Sequence, residues 1–208
     1  MWLIPSRGRP AQLDRLMKAC RSMGMTTPAV VRLDGDDDTL PAYMDLERPK
    51  DWAFVVARRG PLSAVYNGGF RAMPDLDWYG FLADDVVPET AGFDRLLIDA
   101  AGLDGMAYGD DGINGSGLGT HFVLGGDLVR SCGFLALPGL ERLFIDTSWN
   151  DIAHDRGTHR YLPHVVLRHH HFSNKMALFD STYRKPAKEI DRQIYESWRS
   201  ARDESEKP

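Results

Sequence analysis

Four times within its first 85 residues the chain runs through a short apolar segment and straight into charge. Trp2-Leu3-Ile4 leads to "PSRGRP", "PAVVRL" to "DGDDDT", "WAFVVA" to "RRG", and "WYGFLA" to Asp84-Asp85. Between these runs the spacing changes to that of a helix. Leu13, Leu16, Met17 and Cys20 share one face before Gly24, and Leu62, Val65, Tyr66 and Phe70 share another before Pro74. Strands alternating with helices select a parallel sheet covered by helices, with the loops at the carboxyl ends of the strands forming the site. The expected fold is a single-domain α/β protein, three-layer α/β/α with a mainly parallel central sheet.

The last of the four runs poses the sharpest question. Five residues of "WYGFLADD" have the character of a buried strand, yet they run into two adjacent carboxylates, Asp84 and Asp85. Like charges repel, and burying them is costly unless something positive compensates. A divalent Mg2+ or Mn2+ ion, its shell completed by phosphate oxygens, is the chemistry that two carboxylates at a strand end suit. A helix cap ahead of "PETAGFDRLL" is the alternative, although a cap needs only one acid.

The second half reads differently. A helix over "ETAGFDRLLIDAAG" precedes a glycine-rich stretch with two strands around it, then come a helix over "TSWNDIAHDRG" and a strand over "HRYLPHVVLRHHHF". A final helix starts at Lys188 and leads into the charged tail "ARDESEKP". The division expected is residues 1–187 as the main domain and 188–208 as C-terminal helix and frayed tail. "GSGLGT" is no dinucleotide loop, because strand-like "THFVLGG" follows where a helix N-terminus is needed. "DGDDDT" lacks the glycine and glutamate of a calcium-binding EF-hand, leaving a solvated turn or a role for Asp34 at a nucleobase or ribose. Strand alternation puts His169 and His171 on one face, so at most two of the three successive histidines serve one site, and one of them joining Asp85 on a shared ion is the simplest use. Asp146, just before a helix, is either its N-cap or a general base at the edge of the site. Asp151 and Asp110 are the next candidates for the base.

Composition narrows the setting. The chain has 208 residues, 43% of them hydrophobic, and a formal net charge of −5, which argues against binding nucleic acid over a broad basic face. A local track from Arg58, Arg59, Arg71, Arg184 and Lys185 remains available. Cys20 and Cys132 stand far apart with no metal or redox spacing, and "MWLIPSRGRP" has no signal-peptide pattern, so a cytoplasmic protein with no membrane span is expected.

The ordered set "IPSRGRP", "LDGDDD", "YNGGF", "FLADDVVP", "FIDTSWNDIAHDRG" and "YLPHVVLRHHH" resembles small glycosyltransferases of the GT-A fold, close to family two, including forms found in phage genomes. The resemblance runs from about Ile4 to Tyr183. It implies a nucleoside-diphosphate sugar donor, UDP favoured, and an Mn2+ or Mg2+ ion held by Asp85 with His171 or His169. Asp84 would lie beside the ribose or sugar. Pro5, Ser6, Arg7, Arg9 and Asp34 would line the nucleotide pocket, joined by Arg58 and by Asn67 of the "YNGGF" segment. Asn174, Lys175 and Tyr183 would close over the phosphates. Asp146 matches the acidic position that serves as base in inverting members, with a glycan, a protein or a modified phage DNA base as acceptor. Ala83 stands where the metal motif usually has its first acid, and Thr147 replaces the second acid of the usual acceptor-side pair. Two other classes stay open: a nucleotidyltransferase, and a noncatalytic glycan-binding module using Trp78, Tyr79 and Trp149 as stacking surfaces.

Overall fold

The structure, a computed structural model, describes residues 1–177 and 188–205. The alternation of the first half is present: β1 (Trp2–Ser6), α1 (Pro10–Ser22), β2 (Ala29–Asp34), α2 (Leu40–Met44), β3 (Trp52–Ala57), α3 (Leu62–Ala72) and β4 (Trp78–Phe81). After the two aspartates come β5 (Val86–Pro88), α4 (Phe93–Ala101), β6 (Met106–Asp110), β7 (Phe122–Gly125) and α5 (Gly126–Cys132). The rest is α6 (Ile145–Asp155), β8 (His159–His169) and α7 (Lys188–Ser205). Among the described residues no helix is long and apolar enough to cross a membrane.

The strands form one sheet in the order β3-β2-β1-β4-β7-β6-β8-β5. Four junctions are parallel (β3-β2, β2-β1, β1-β4, β6-β8) and three antiparallel (β4-β7, β7-β6, β8-β5). The sheet is therefore mixed, which corrects the mainly parallel one expected. The cause lies in the glycine-rich link from Asp111 to His121, which carries no crossover helix. Without one, β7 returns beside β6 in the opposite direction.

Strand alternation divides the core between two faces. Trp2, Ile4, Val31, Leu33, Ala107 and Val123 face α1, α2 and α4, where Leu13, Leu16, Tyr43, Phe93 and Leu97 meet them. Met1, Leu3, Met106, Tyr108, Phe122 and Leu124 face the other way, against Tyr66 of α3, Leu128 of α5 and Trp149 and Ile152 of α6, with Ile194 and Trp198 of α7 alongside. Period-two alternation on β1 and period-3.6 spacing on α1 and α6 are thus what create the three layers.

Two buried aspartates fasten helices to loops. Asp94 of α4 accepts hydrogen bonds from the Thr26 and Thr27 backbone N–H groups and from the Thr27 hydroxyl, at 3.1, 3.2 and 2.9 Å. Asp191 of α7, wholly buried, accepts from the N–H groups of Glu141, Arg142 and Leu143 at 2.6, 3.0 and 2.8 Å. Each carboxylate thereby satisfies backbone donors that burial would otherwise leave unpaired. α7 continues through Ser205, so the first five residues of "ARDESEKP" extend this docked helix.

Gly80 on β4 marks the closest approach between neighbours in this sheet half. A Cβ there would lie 2.3 Å from the Trp2 indole, which is itself fully buried and held by Thr27 through its Nε1–H at 2.9 Å. Gly80→Ala is expected to destabilise the fold by about 1–3 kcal/mol or more, through overpacking against a side chain that has no room to yield. Urea unfolding of the variant against the parent checks this, and unchanged stability would refute it.

Candidate functional site

β1 to β4 run parallel, so Ser6, Asp34, Ala57 and the Leu82-Ala83 extension of β4 reach the same edge of the sheet. Proximity there is a consequence of strand order. Asp84 and Asp85 follow β4, and the "SRGR" loop follows its neighbour β1. Both aspartates are 5% exposed, and Arg9, 6% exposed, lies between them. Its Nη1 is 2.9 Å from Asp85 Oδ2 and 3.3 Å from Asp84 Oδ1. The positive charge facing the acidic pair is therefore an arginine supplied from 75 residues earlier in the chain.

A relay of hydroxyls fixes this arrangement. The Ser6 hydroxyl donates to Asp84 Oδ2 at 2.6 Å. Having one proton, Ser6 must then accept from the Tyr43 phenol, 2.7 Å away. Tyr43 in turn accepts from the Arg9 backbone N–H at 2.8 Å. Gly8, at a φ of 70°, donates its N–H to Asp37 at 2.7 Å. The loop backbone is thus pinned on both sides before Pro10 opens α1. Neither Tyr43 nor Asp37 was among the residues singled out from sequence. An aromatic close behind an acidic loop was the available signal.

The carboxylates divide their charge unequally. Burial, with the Asp85 charge beside it, pushes Asp84 up to about 6, and Arg9 and Ser6 only partly offset this. Burial would raise Asp85 too, but His169, with His121 and Arg9 adding to it, holds it well below the usual carboxylate range. One of the pair is a firm anion and the other is readily protonated.

His169 arrives from the far end of the sheet. β5 pairs antiparallel with β8 in a register that sets Val86 against His169, one residue beyond Asp85. His169 Nε2 lies 3.4 Å from Asp85 Oδ1, and the His170 backbone N–H donates to the Asp85 carbonyl at 2.9 Å. The His169 ring is flanked by His121 at 4.9 Å and by His171 at 5.1 Å between centroids. His121, 5% exposed at the start of β7, was not anticipated, and burial pushes its imidazole down to about 3.

The other expected residues divide into two groups. Arg7 pairs with Asp34 at 3.1 Å and with Asp36 at 2.5 Å, so the acidic loop and the basic loop engage each other beside the aspartate pair. Pro5 lies within β1 against Arg32, Arg58 is exposed past the end of β3, and Lys175 is exposed in a turn at a φ of 62°. Asp146 is the second residue of α6, whose N-cap is Phe144 at a φ of 64°, so the capping alternative for Asp146 is not realised. Burial raises its carboxyl, opposed by hydrogen bonding from Thr147 and by the charge of His169. Burial, then the charges of Asp146 and Asp84, raise the Tyr66 phenol.

Three assignments are corrected. Asn67 is committed elsewhere: its amide donates to the Ala136 carbonyl at 2.7 Å and accepts from the Leu135 and Ala136 N–H groups at 2.8 and 3.0 Å, so it clamps a loop. Asp151, about 140° round the helix from Asp146, accepts from the Tyr195 phenol and fastens α7 to α6. Tyr79 and Trp149 are fully buried and Trp78 packs on Trp2 at 5.8 Å, so they form no sugar-stacking surface. Tyr183, Arg184 and Lys185 lie outside the described residues.

A carboxylate beside imidazole nitrogens would suit a divalent transition-metal ion. His169 Nδ1 and His121 Nε2 are buried with no hydrogen-bond partner among the described residues, and imidazole nitrogens beside a firm carboxylate are competent ligands. Among the described residues no cluster of three or more such side chains is gathered into a ready-made cage. An ion here would take few protein ligands and complete its shell from a substrate and water.

No protein-family model matches the sequence, and no curated protein does. Solved structures do. The fold is similar to a mannosyltransferase from Pyrobaculum calidifontis in complex with GDP-Man and Mn2+ (TM-score 0.60, 12% identity, 80% of this chain, 55% of that one). It is also similar to residues 1–349 of TarS from S. aureus (0.59, 10%, 80% and 59%). A third is Rv0371c from Mycobacterium tuberculosis, in a complex with manganese (0.53, 16%, 78% and 86%). The chain spans under two thirds of the length of the first two. At these identities the likeness speaks to the fold, which is GT-A-like.

Tyr43→Phe tests the relay. It removes the donor to Ser6 and leaves the buried Arg9 N–H unpaired, an expected loss of about 1–3 kcal/mol in chemical unfolding. Parent-like stability would show that the relay contributes nothing.

Proposed function

We propose that this chain is a metal-dependent glycosyltransferase that moves a sugar from a nucleoside-diphosphate sugar, UDP-linked in the first instance, to an acceptor hydroxyl. The observation that carries the reading is the meeting of Asp85 with His169, side chains 84 residues apart in sequence and 3.4 Å apart in space, at the strand-end edge of a GT-A-like sheet. The mannosyltransferase neighbour, described with GDP-Man and Mn2+, supports the same direction.

In this reading Asp85 and His169 would hold Mn2+ or Mg2+, with His171 in reserve beside His169. When bound, the ion neutralises charge developing on the departing diphosphate. The chain's own residues do the remaining work. Arg7 and Arg9, on a loop pinned by Asp37 and Tyr43, supply charge-assisted donors for the phosphates. Asp34, Arg58 and Pro5 border the nucleotide, and Lys175 approaches from the last strand's exit. Asp146, its carboxyl raised by burial, accepts the acceptor hydroxyl's proton. With a net charge of −5, a glycan hydroxyl is favoured over DNA as acceptor.

Thermal stabilisation by a panel of sugar nucleotides, UDP-linked and GDP-mannose, with and without Mn2+, tests the reading. A donor at a hundred times its dissociation constant stabilises by about 2.7 kcal/mol. That gain should vanish with a chelator and in Asp85→Asn. Equal donor affinity with and without chelator would remove the metal from the proposal.

Asp146→Asn separates a base from a structural acid. Transfer is expected to fall about 10²-fold or more with donor affinity and melting temperature nearly intact. Unchanged transfer would exclude Asp146 as the base.

A further inference from the structure

We propose that two copies of this chain pair through β3, edge to edge and antiparallel about a two-fold axis at Val55, so that the sheet of one copy runs on into the other. The inference is independent of the function proposed above.

The two edges of the sheet are finished differently. β5 is three residues long and ends in Pro88, which has no N–H to offer, and the next residue, Glu89, pairs with Arg168 at 3.0 Å. An edge so short and so charged recruits no further strand. β3 has none of these safeguards. Its six residues, "WAFVVA", include no charge and no proline, and Val55 and Val56 are each 44% exposed, with Ala53 and Ala57 exposed beside them. An extended apolar edge of this kind is a template for another strand.

The backbone is set for that pairing. The Asp51 and Ala57 carbonyls accept from the Ala29 and Gly35 N–H groups at 3.2 and 2.9 Å, so the odd-numbered residues of β3 bond inward to β2. In a parallel ladder the alternate residues, Phe54 and Val56, then turn their N–H and C=O groups outward. Antiparallel pairing of two copies must join outward groups to outward groups, which leaves an axis through Phe54, Val55 or Val56.

Charge selects among the three. The strand is entered from Asp51 and left through Arg58 and Arg59, all exposed. With Val55 opposite Val55 on the axis, Phe54 lies opposite Val56, Ala53 opposite Ala57, and Asp51 opposite Arg59 on one face. Lys50 meets Gly60. An axis at Phe54 would set Lys50 against Arg58, and one at Val56 would leave Asp51 opposite Pro61. Of the three, the Val55 axis alone makes an attractive pair at each end of the ladder. Because the two strands are identical, the contact is isologous and uses up the edge, so assembly closes at two copies.

Sedimentation velocity of the full chain over about 1 to 100 µM provides the test, with circular dichroism to confirm that each variant folds. The parent is expected to show a concentration-dependent monomer and dimer, and nothing larger. Val55→Lys, at an exposed position, puts two like charges on the axis and is expected to weaken the dimer at least about tenfold. Asp51→Arg and Arg59→Asp each set like charges opposite one another at both ends and are expected to weaken it by a similar factor. Combining the two restores attraction with the signs reversed, and that double variant is expected to return to within about threefold of the parent. Should Val55→Lys fail to fold, the charge variants, which lie outside the strand, carry the test by themselves. A parent that stays monomeric, one that grows beyond two copies, or a dimer that the folded variants leave intact overturns the proposal. A dimer weakened by each single change but not recovered in the double variant overturns the register at Val55.

Discussion

The site depends on one buried arginine between two aspartates. Burying Asp84 and Asp85 side by side is unfavourable by itself, and Arg9 makes it tolerable by approaching both. Such a cluster contributes little net stability compared with an apolar core, since desolvating three charged groups consumes most of what their attraction returns. Its effect is on placement. With Asp84 drawn up to about 6 and Asp85 held low, the pair presents one firm anion toward His169 and one softer acid toward Ser6.

Placement of this cluster draws on nearly every element of the sheet. β1 brings Ser6 and the arginine loop, and the loop after β2 brings Asp37, whose carboxylate holds Gly8. α2, only five residues long, is positioned to send Tyr43 into the centre of the relay. The second half contributes through its antiparallel pairings. β7 sets His121 against His169, and the β5–β8 register delivers His169 to Asp85. A purely parallel sheet would have put the end of β8 elsewhere.

α7 matters to the acceptor side in the same structural sense. Asp191 gathers the backbone of residues 141–143, Tyr195 stacks on Phe144 with centroids 5.0 Å apart, and the same phenol binds Asp151. These contacts hold the αL residue from which α6 and Asp146 begin. The C-terminal helix is thus a brace for the proposed acceptor-side acid.

The amino-acid sequence alone determined most of the element pattern and the charge that the early strands deliver to one edge of the sheet. Strand and helix periodicities depend on neighbours two to four residues apart, so β1 to β4, α1, α3, α4, α6, β8 and α7 were legible, as was charge at the carboxyl ends of the early strands. Partners across the sheet were not. Whether a polar side chain such as Asn67 or Asp151 faces a ligand or a distant backbone depends on packing that no local spacing encodes. The mixed strand order, the choice of Arg9 as countercharge, the preference for His169 beside Asp85 and the presence of His121 were decided by tertiary structure. Each follows from strand order and register, which are set by the whole core at once and, for Arg9 and His169, join residues 75 or more positions apart.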